Sequence, residues 1–343
     1  LPDRAGPEEI EHWFAHRRPG RRAVIACPLM HGTGLFFALA TLTLGGCVIT
    51  MEGPRFSAEG LLDALAAERA NGTVIVGDAF ARPLADALDA QPDRWALDSL
   101  RVILSSGAIW SEPVKRRLAA HLPQTMLVDG LGSSETGSIA SSVTTAEIVA
   151  ETASFKANEK GAVLLDDGRF AEPGCGEVGH LAVTGWLPLG YYKDPGKTDQ
   201  VFKVVDGRRY SIPGDRATLE ADGTIRLLGR GSNCINTAGE KVFPEEVEEA
   251  LKTHPAVGDA AVVGVPDERW GQVIVALVQP AGSGGAPPDP EDLVVHVKSR
   301  LAGYKAPKLV LVVDSVERAA NGKLDVRRLR ERALEAWTAE ERG

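Results

Sequence analysis

The sequence predicts an α/β fold, continued by a β-rich section and closed by a small α+β domain. Three observations predict it. Between residues 23 and 128, short apolar runs rich in β-branched residues alternate with helical patterns. From 160 to 228, glycine, proline and short alternating strands take over. Near 231 a third texture begins, with a helix leading into strands and a Gly/Pro-rich linker. At 343 residues the chain is long enough for about two domains. We set them at 1–229, with the β-rich part at about 155–229, and at 230–343, joined at Arg230–Ser232.

In order along the chain, AVIAC (23–27), CVIT (47–50), TVIV (73–76), RVIL (101–104) and TMLV (125–128) read as strands. Their hydrophobicity is continuous rather than alternating, which predicts burial on both faces in a parallel sheet. Ser57 is placed to cap LLDALAAERA and Ser111 to cap VKRRLAAHL, with Glu112 at the positive end of the helix dipole. Arg216–Glu220 and Thr224–Leu228 flank Asp222-Gly223, a dipeptide that suits positive φ and predicts a hairpin. A helix at Glu245–Lys252 precedes strands near 260–265 and 273–279. The linker AGSGGAPPDPED, an amphipathic helix at 292–302 and a strand LVLVVD follow. The final RRLRERALEAWTAEERG mixes charge signs and reads as a solvated helix.

Hydrophobic residues make up 44% and charged residues 25%, ordinary for a globular protein. A net charge of −9 argues against nucleic acid as a partner. No apolar stretch approaches the ~20 residues that span a bilayer, and no signal-peptide pattern is present. Cys27, Cys47, Cys175 and Cys234 are far apart, which argues against a disulfide framework or zinc site and suits a reducing cytoplasm. Cys27 and Cys47 lie in apolar runs and are expected in the core.

Several polar clusters carry chemistry. Gly214-Asp215 and Gly229-Arg230 bracket the hairpin, so one carboxylate and one guanidinium can reach the same edge and hold a sugar diol. His31 follows the first strand, and strand ends in open α/β sheets are where ligands sit. Ser106-Gly107-Ala108 also follows a strand, where small residues let backbone approach a flat ligand. Asp129-Gly130-Leu131-Gly132-Ser133-Ser134-Glu135 combines hydroxyl and amide donors for a phosphate with a carboxylate for Mg²⁺. Each has a plainer reading: a backbone-satisfied histidine, a tight turn, a helix start capped by Ser134, a surface ion pair. Ala238-Gly239-Glu240-Lys241 reads equally as a loop before the helix, and Lys323 as a solvated turn lysine.

Residues 207–249 with Asn321-Gly322-Lys323 resemble the adenylate-forming superfamily, specifically acyl-CoA synthetases, and the motifs match in order along essentially the whole chain. The resemblance implies an acyl-CoA ligase with ATP or AMP, CoA and Mg²⁺ as cofactors. It assigns His31 to the acyl carboxylate, Ser106-Gly107-Ala108 to the adenine and acyl pocket, and Ser134 to the α-phosphate. Glu135 becomes the Mg²⁺ ligand, and Asp129, Gly130, Gly132 and Ser133 belong to the same motif. Asp215 and Arg230 become the ribose pair. Gly239, Glu240 and Lys241 would line the pantetheine tunnel once a mobile C-terminal domain rotates, and Lys323 would stabilise the adenylation transition state. The resemblance also leaves room for a homodimer.

Three departures stand out. Pro213 replaces the threonine common before Gly-Asp, and Ser232 stands where many relatives have an acidic hinge residue. The Ser/Thr/Gly-rich loop whose lysine holds the ATP β- and γ-phosphates is absent. That leaves an ATP-dependent ligase represented by a fragment, a ligase performing only the acyl-adenylate to CoA transfer, and an inactive binding module. PLMHGTGLF, VGDAFARP and INTAGEKVFPEEVE look closest to actinobacterial synthetases for fatty, steroid-side-chain or terpenoid acids. Gly32 and Gly34 are expected to leave pocket volume beside His31.

Overall fold

The computed structural model describes residues 6–16, 20–53, 56–281, 287–319 and 322–340. The chain forms two units, residues 1–131 with 142–152, and residues 132–141 with 153–343.

In the first unit, after helix α1 (Pro7–His16), the β-branched runs form strands and the segments between them form helices. These are β1 (Arg22–Ile25), α2 (Gly32–Thr43), β2 (Cys47–Thr50), α3 (Ala58–Ala67), β3 (Gly72–Ile75), α4 (Asp78–Ala90), β4 (Val102–Ser106), α5 (Glu112–His121) and β5 (Met126–Ser133). The strands pair in parallel in the order β5-β4-β3-β1-β2. Central strands lose nearly all contact with water, and Val24, Val74 and Ile75 are fully buried. This is the environment that continuous hydrophobicity selects. β2 is an edge strand, which corrects one expectation: Cys27 is buried but Cys47 is exposed. An apolar run at an edge keeps one flank open.

The capping serines behave differently. Ser57 accepts the Gly60 N–H at 3.1 Å, as its position before α3 predicts. Ser111 precedes α5 but caps nothing with its side chain. The Glu112 N–H is taken at 2.9 Å by Thr152 Oγ1, brought from 40 residues away.

The second unit holds two sheets. The first contains β6 (Gly137–Thr144), β7 (Ser154–Ala157), β8 (Gly161–Leu164), β9 (Gly179–Val183), β10 (Phe202–Val205), β11 (Arg208–Ser211), β12 (Asp215–Leu219) and β13 (Thr224–Arg230), with α6 (Pro195–Val201) before β10. Pairing is antiparallel in the order β6-β7-β13-β12-β9-β11-β10, with β8 also on β9. The β12–β13 hairpin turns at Asp222-Gly223, where Gly223 has φ +80°.

The second sheet comprises β14 (Ile235–Thr237), β15 (Glu240–Val242), β16 (Val257–Asp267), β17 (Gly271–Pro280) and β18 (Leu309–Val312). Helices α7 (Pro244–Lys252), α8 (Pro290–Lys298) and α9 (Val326–Glu340) accompany it. The two faces of β16 and β17 are both apolar. Val257, Ala260, Val262, Ile274 and Ala276 share one core with Val247 and Leu251 of α7 and Leu293 and Val297 of α8. Ala261, Val263, Val273 and Val275 share another with Leu329 and Ala333 of α9. The strand period of two separates the sets. α9 is therefore not merely solvated, because Leu329 and Ala333 are its buried stripe. The expected linker at 281–292 lies partly outside the described residues.

Candidate functional site

The first unit gathers its candidates at the carboxyl ends of β1, β4 and β5. Gly107 follows β4 with φ +90°, and a Cβ there would lie 2.9 Å from Cε1 of His31. Glycine is required twice, by the backbone angle and by this approach. Thr33 Oγ1 donates to the Ser106 carbonyl at 3.2 Å, tying the start of α2 to the same loop. Ser105 Oγ accepts the Gly77 N–H at 2.8 Å and is internal support. Gly34 leaves no pocket volume: a Cβ would lie 3.0 Å from Cys27 Sγ and from the Cys27 and Pro28 carbonyl oxygens. Its role is close helix–strand packing, which corrects the expectation of space at that position.

Asp129 and Gly130 pair in register with Ser105 and Ser106. Asp129 is 4% exposed. Burial pushes its carboxyl up to about 7, against the nearby Lys115 charge and with help from Asp78. Lys115 is itself fully buried and donates to the Glu151 carbonyl at 3.2 Å.

In the second unit, Gly132–Glu135 does not start a helix. Residues 134–136 are the turn between β5 and β6, so Ser134 caps nothing and is exposed. The Glu135 N–H donates to Ser133 Oγ at 3.2 Å, and Ser133 Oγ pairs with Thr136 Oγ1 at 3.1 Å. Burial works against the Glu135 charge, but hydrogen bonds from Tyr191 and Ser133 hold its carboxyl below the ordinary value. The Tyr191 hydroxyl donates to Glu135 Oε1 at 2.5 Å. Burial and this carboxylate raise the Tyr191 hydroxyl to about 12, so it remains a donor.

Asp215 and Arg230 are direct partners across the β12–β13 ladder, with Arg230 Nε 3.5 Å from Asp215 Oδ1. Asp215 is 19% exposed and Arg230 61%. Burial raises the Asp215 carboxyl, Arg230 opposes the shift and the Glu135 charge adds to it. The turn carboxylate and the hairpin pair therefore share one electrostatic neighbourhood.

Ala238 and Gly239 form the tip of the β14–β15 hairpin, with φ +52° and +86°. Successive positive φ values mark a type I′ turn, so this segment is a hairpin as well as the lead into α7. Gly239, Glu240 and Lys241 are exposed, and nothing lies within 4 Å of a Gly239 Cβ. The Lys241 charge acts on Asp166 and His180, both held by buried Arg216. Lys323 is exposed in the segment before α9, where its carbonyl accepts the Ala319 N–H at 2.8 Å. The charges acting on Asp215 come from Arg230 and Glu135. Asn321 lies outside the described residues.

Tyr191 was not legible as a partner of Glu135, nor Arg216 as a partner of Asp166 and His180. Tyr191 lies 56 residues from Glu135 in sequence, and only the tertiary fold pairs them. Among the described residues, no group of three or more His, Cys, Asp or Glu side chains could hold a metal, and no helix is long and apolar enough to cross a membrane.

The chain is similar to known proteins along most of its length. The AMP-binding enzyme model matches residues 8–192, and the AMP-binding enzyme C-terminal domain matches 246–323. A medium-chain acyl-CoA ligase of Mycobacterium avium is 42% identical, over 92% of this chain and 57% of its own length. A 3-oxocholest-4-en-26-oate–CoA ligase of Rhodococcus rhodochrous is 43% identical, over 88% of this chain and 54% of its own. The chain thus spans little more than half the length of these relatives. An amide bond synthetase from Marinactinospora thermotolerans superposes with a TM-score of 0.77 at 29% identity, covering 92% of this chain and 62% of that one.

Proposed function

The chain belongs to the AMP-binding enzyme family, and on that premise we propose that it carries the adenylate- and acyl-binding part of an acyl-CoA ligase. The acid is bulky and mostly apolar, in line with the medium-chain and steroid acids named for two relatives. In this reading the acid carboxylate attacks the α-phosphorus of ATP. The bond from that phosphorus to the bridging oxygen breaks, and pyrophosphate leaves. The CoA thiol then attacks the acyl carbonyl, its proton passes to solvent, and AMP departs.

The carrying observation is the Asp215–Arg230 pair, a half-buried carboxylate held opposite an exposed guanidinium at one hairpin edge. Asp215 accepts hydrogen bonds from ribose hydroxyls, while the Arg230 charge opposes the burial that raises its carboxyl. His31 and Gly107 border the acid, and Ser134 donates to the α-phosphate. Glu135, whose carboxyl is held below its ordinary value, would hold a Mg²⁺. When bound, that cation neutralises phosphate charge. Gly239–Lys241 flank the thiol's path, and Lys323 serves adenylation.

Transfer without adenylation is the second reading, and it differs in that no pyrophosphate has to leave. Supplying a pre-made medium-chain acyl-adenylate with CoA tests both. Acyl-CoA formation that falls at least tenfold in Asp215→Ala is expected. Undiminished turnover in that variant contradicts the assignment, and acid-dependent pyrophosphate release would exclude the second reading.

A further inference from the structure

Tyr191 is held more firmly than a surface loop residue needs to be. Its backbone N–H donates to Thr198 Oγ1 at 2.9 Å, and its carbonyl accepts the Asp194 N–H at 3.2 Å. Asp194 in turn caps α6 by accepting the Lys197 N–H at 2.9 Å. The ring packs 5.8 Å from the Phe202 ring, and the Lys197 ammonium lies over it at 4.3 Å. This bracket fixes one group, the hydroxyl donating to Glu135 Oε1 at 2.5 Å. Glu135 is anchored at its own backbone by Ser133, but its side chain has rotatable bonds that a turn leaves loose.

We propose that Tyr191 is a positioning residue that fixes the Glu135 carboxylate, so that Oε2 is the oxygen presented to a nucleotide-borne divalent cation. The inference rests on the reading of Glu135 given above. A carboxylate already held in one orientation gives up less freedom on binding. Tyr191 touches neither nucleotide nor cation in this account. The Arg230 charge acts on Tyr191 and the Glu135 charge acts on Asp215, so the bracket and the hairpin pair feel each other's charges.

The test uses the full 343-residue chain, with Tyr191→Phe, Glu135→Gln and the double variant. Tyr191→Phe keeps the ring contacts and removes only the hydroxyl. Calorimetry reads ATP affinity with saturating Mg²⁺ and with EDTA. Tyr191→Phe should shrink the Mg²⁺-dependent gain roughly threefold to tenfold, the net scale of one typical hydrogen bond. Affinity in EDTA should not change, and Tyr191→Phe should have no further effect once Glu135→Gln is present. A purely structural role would lower both affinities together, and that result overturns the proposal. A wild-type gain that Tyr191→Phe leaves intact also overturns it. If the wild type shows no Mg²⁺-dependent gain at all, the reading of Glu135 fails first and the proposal falls with it. Ligand-free denaturation of the same four proteins must also show non-additive effects of the two substitutions, and additivity would mean that the hydrogen bond does not couple them.

Discussion

At the scale of single residues, two glycines with nearly equal backbone angles have opposite surroundings. Gly107 at φ +90° backs onto His31, whereas Gly239 at φ +86° faces open space. Alanine carries similar backbone strain at both, of order 1–2 kcal/mol. Only at Gly107 must a neighbour also move. Gly107→Ala should therefore destabilise the protein more than Gly239→Ala in denaturant titrations, and should weaken binding of a medium-chain acid. Equal costs would show that the His31 approach is not tight. Glu245 makes a second residue-scale case. Its Oε2 has no partner among the described residues, and a Cβ on Gly229 would lie 2.2 Å from that oxygen. Burial first, then the Glu248 charge and that of Asp215, push its carboxyl from 4.5 up to about 7, against the backbone N–H groups of Glu245 and Arg230. A raised folded value means the fold favours the protonated acid. Its stabilising effect is complete below about 4.5 and is lost as pH rises to about 7. Stability of Glu245→Gln relative to wild type should climb across that window and level off above it. A flat difference would place the carboxyl in contact with water.

At the scale of elements, the β14–β15 hairpin and the turn before α9 carry different steps in the proposed chemistry. Gly239→Trp should slow transfer from a pre-made acyl-adenylate to CoA at least tenfold and leave nucleotide affinity unchanged, because nothing lies near that position. Lys323→Ala should spare the transfer step. Separate assays of the two half-reactions decide, and equal damage from both changes would rule out the division of labour. Element scale is also where the sequence was most legible. The five parallel strands fall within two residues of the apolar runs at their start, since burial on both faces leaves a strong signal. The β12–β13 hairpin follows from Asp222-Gly223 for a local reason, the need for positive φ. Where partners are distant, legibility fails. Ser111 sits in the right place to cap α5, yet Thr152 supplies the oxygen. Ser134 looks like a helix cap and lies in a β-turn. Cys47 has core composition but edge position.

At the scale of the molecule, the chain holds two sets of candidates, one in each unit. His31, Ser106–Ala108, Asp129 and Gly130 belong to the first; Gly132–Glu135, Asp215, Arg230, Gly239–Lys241 and Lys323 belong to the second. Residues 142–152 return to the first unit and bring Thr152 and Glu151 to α5. Of the candidate site, the motif residues were legible because each combines a turn with a reactive group. Tyr191 was not, because an ordinary tyrosine in GYYKDP gains meaning only through Glu135. The central claim is that the second unit binds an adenylate through Asp215 and Arg230. Calorimetric titration with a non-hydrolysable medium-chain acyl-adenylate tests it most directly. We expect saturable binding that weakens at least tenfold in Asp215→Ala and is displaced by AMP. Binding of equal strength in Asp215→Ala, or no binding by the wild-type chain, would contradict it.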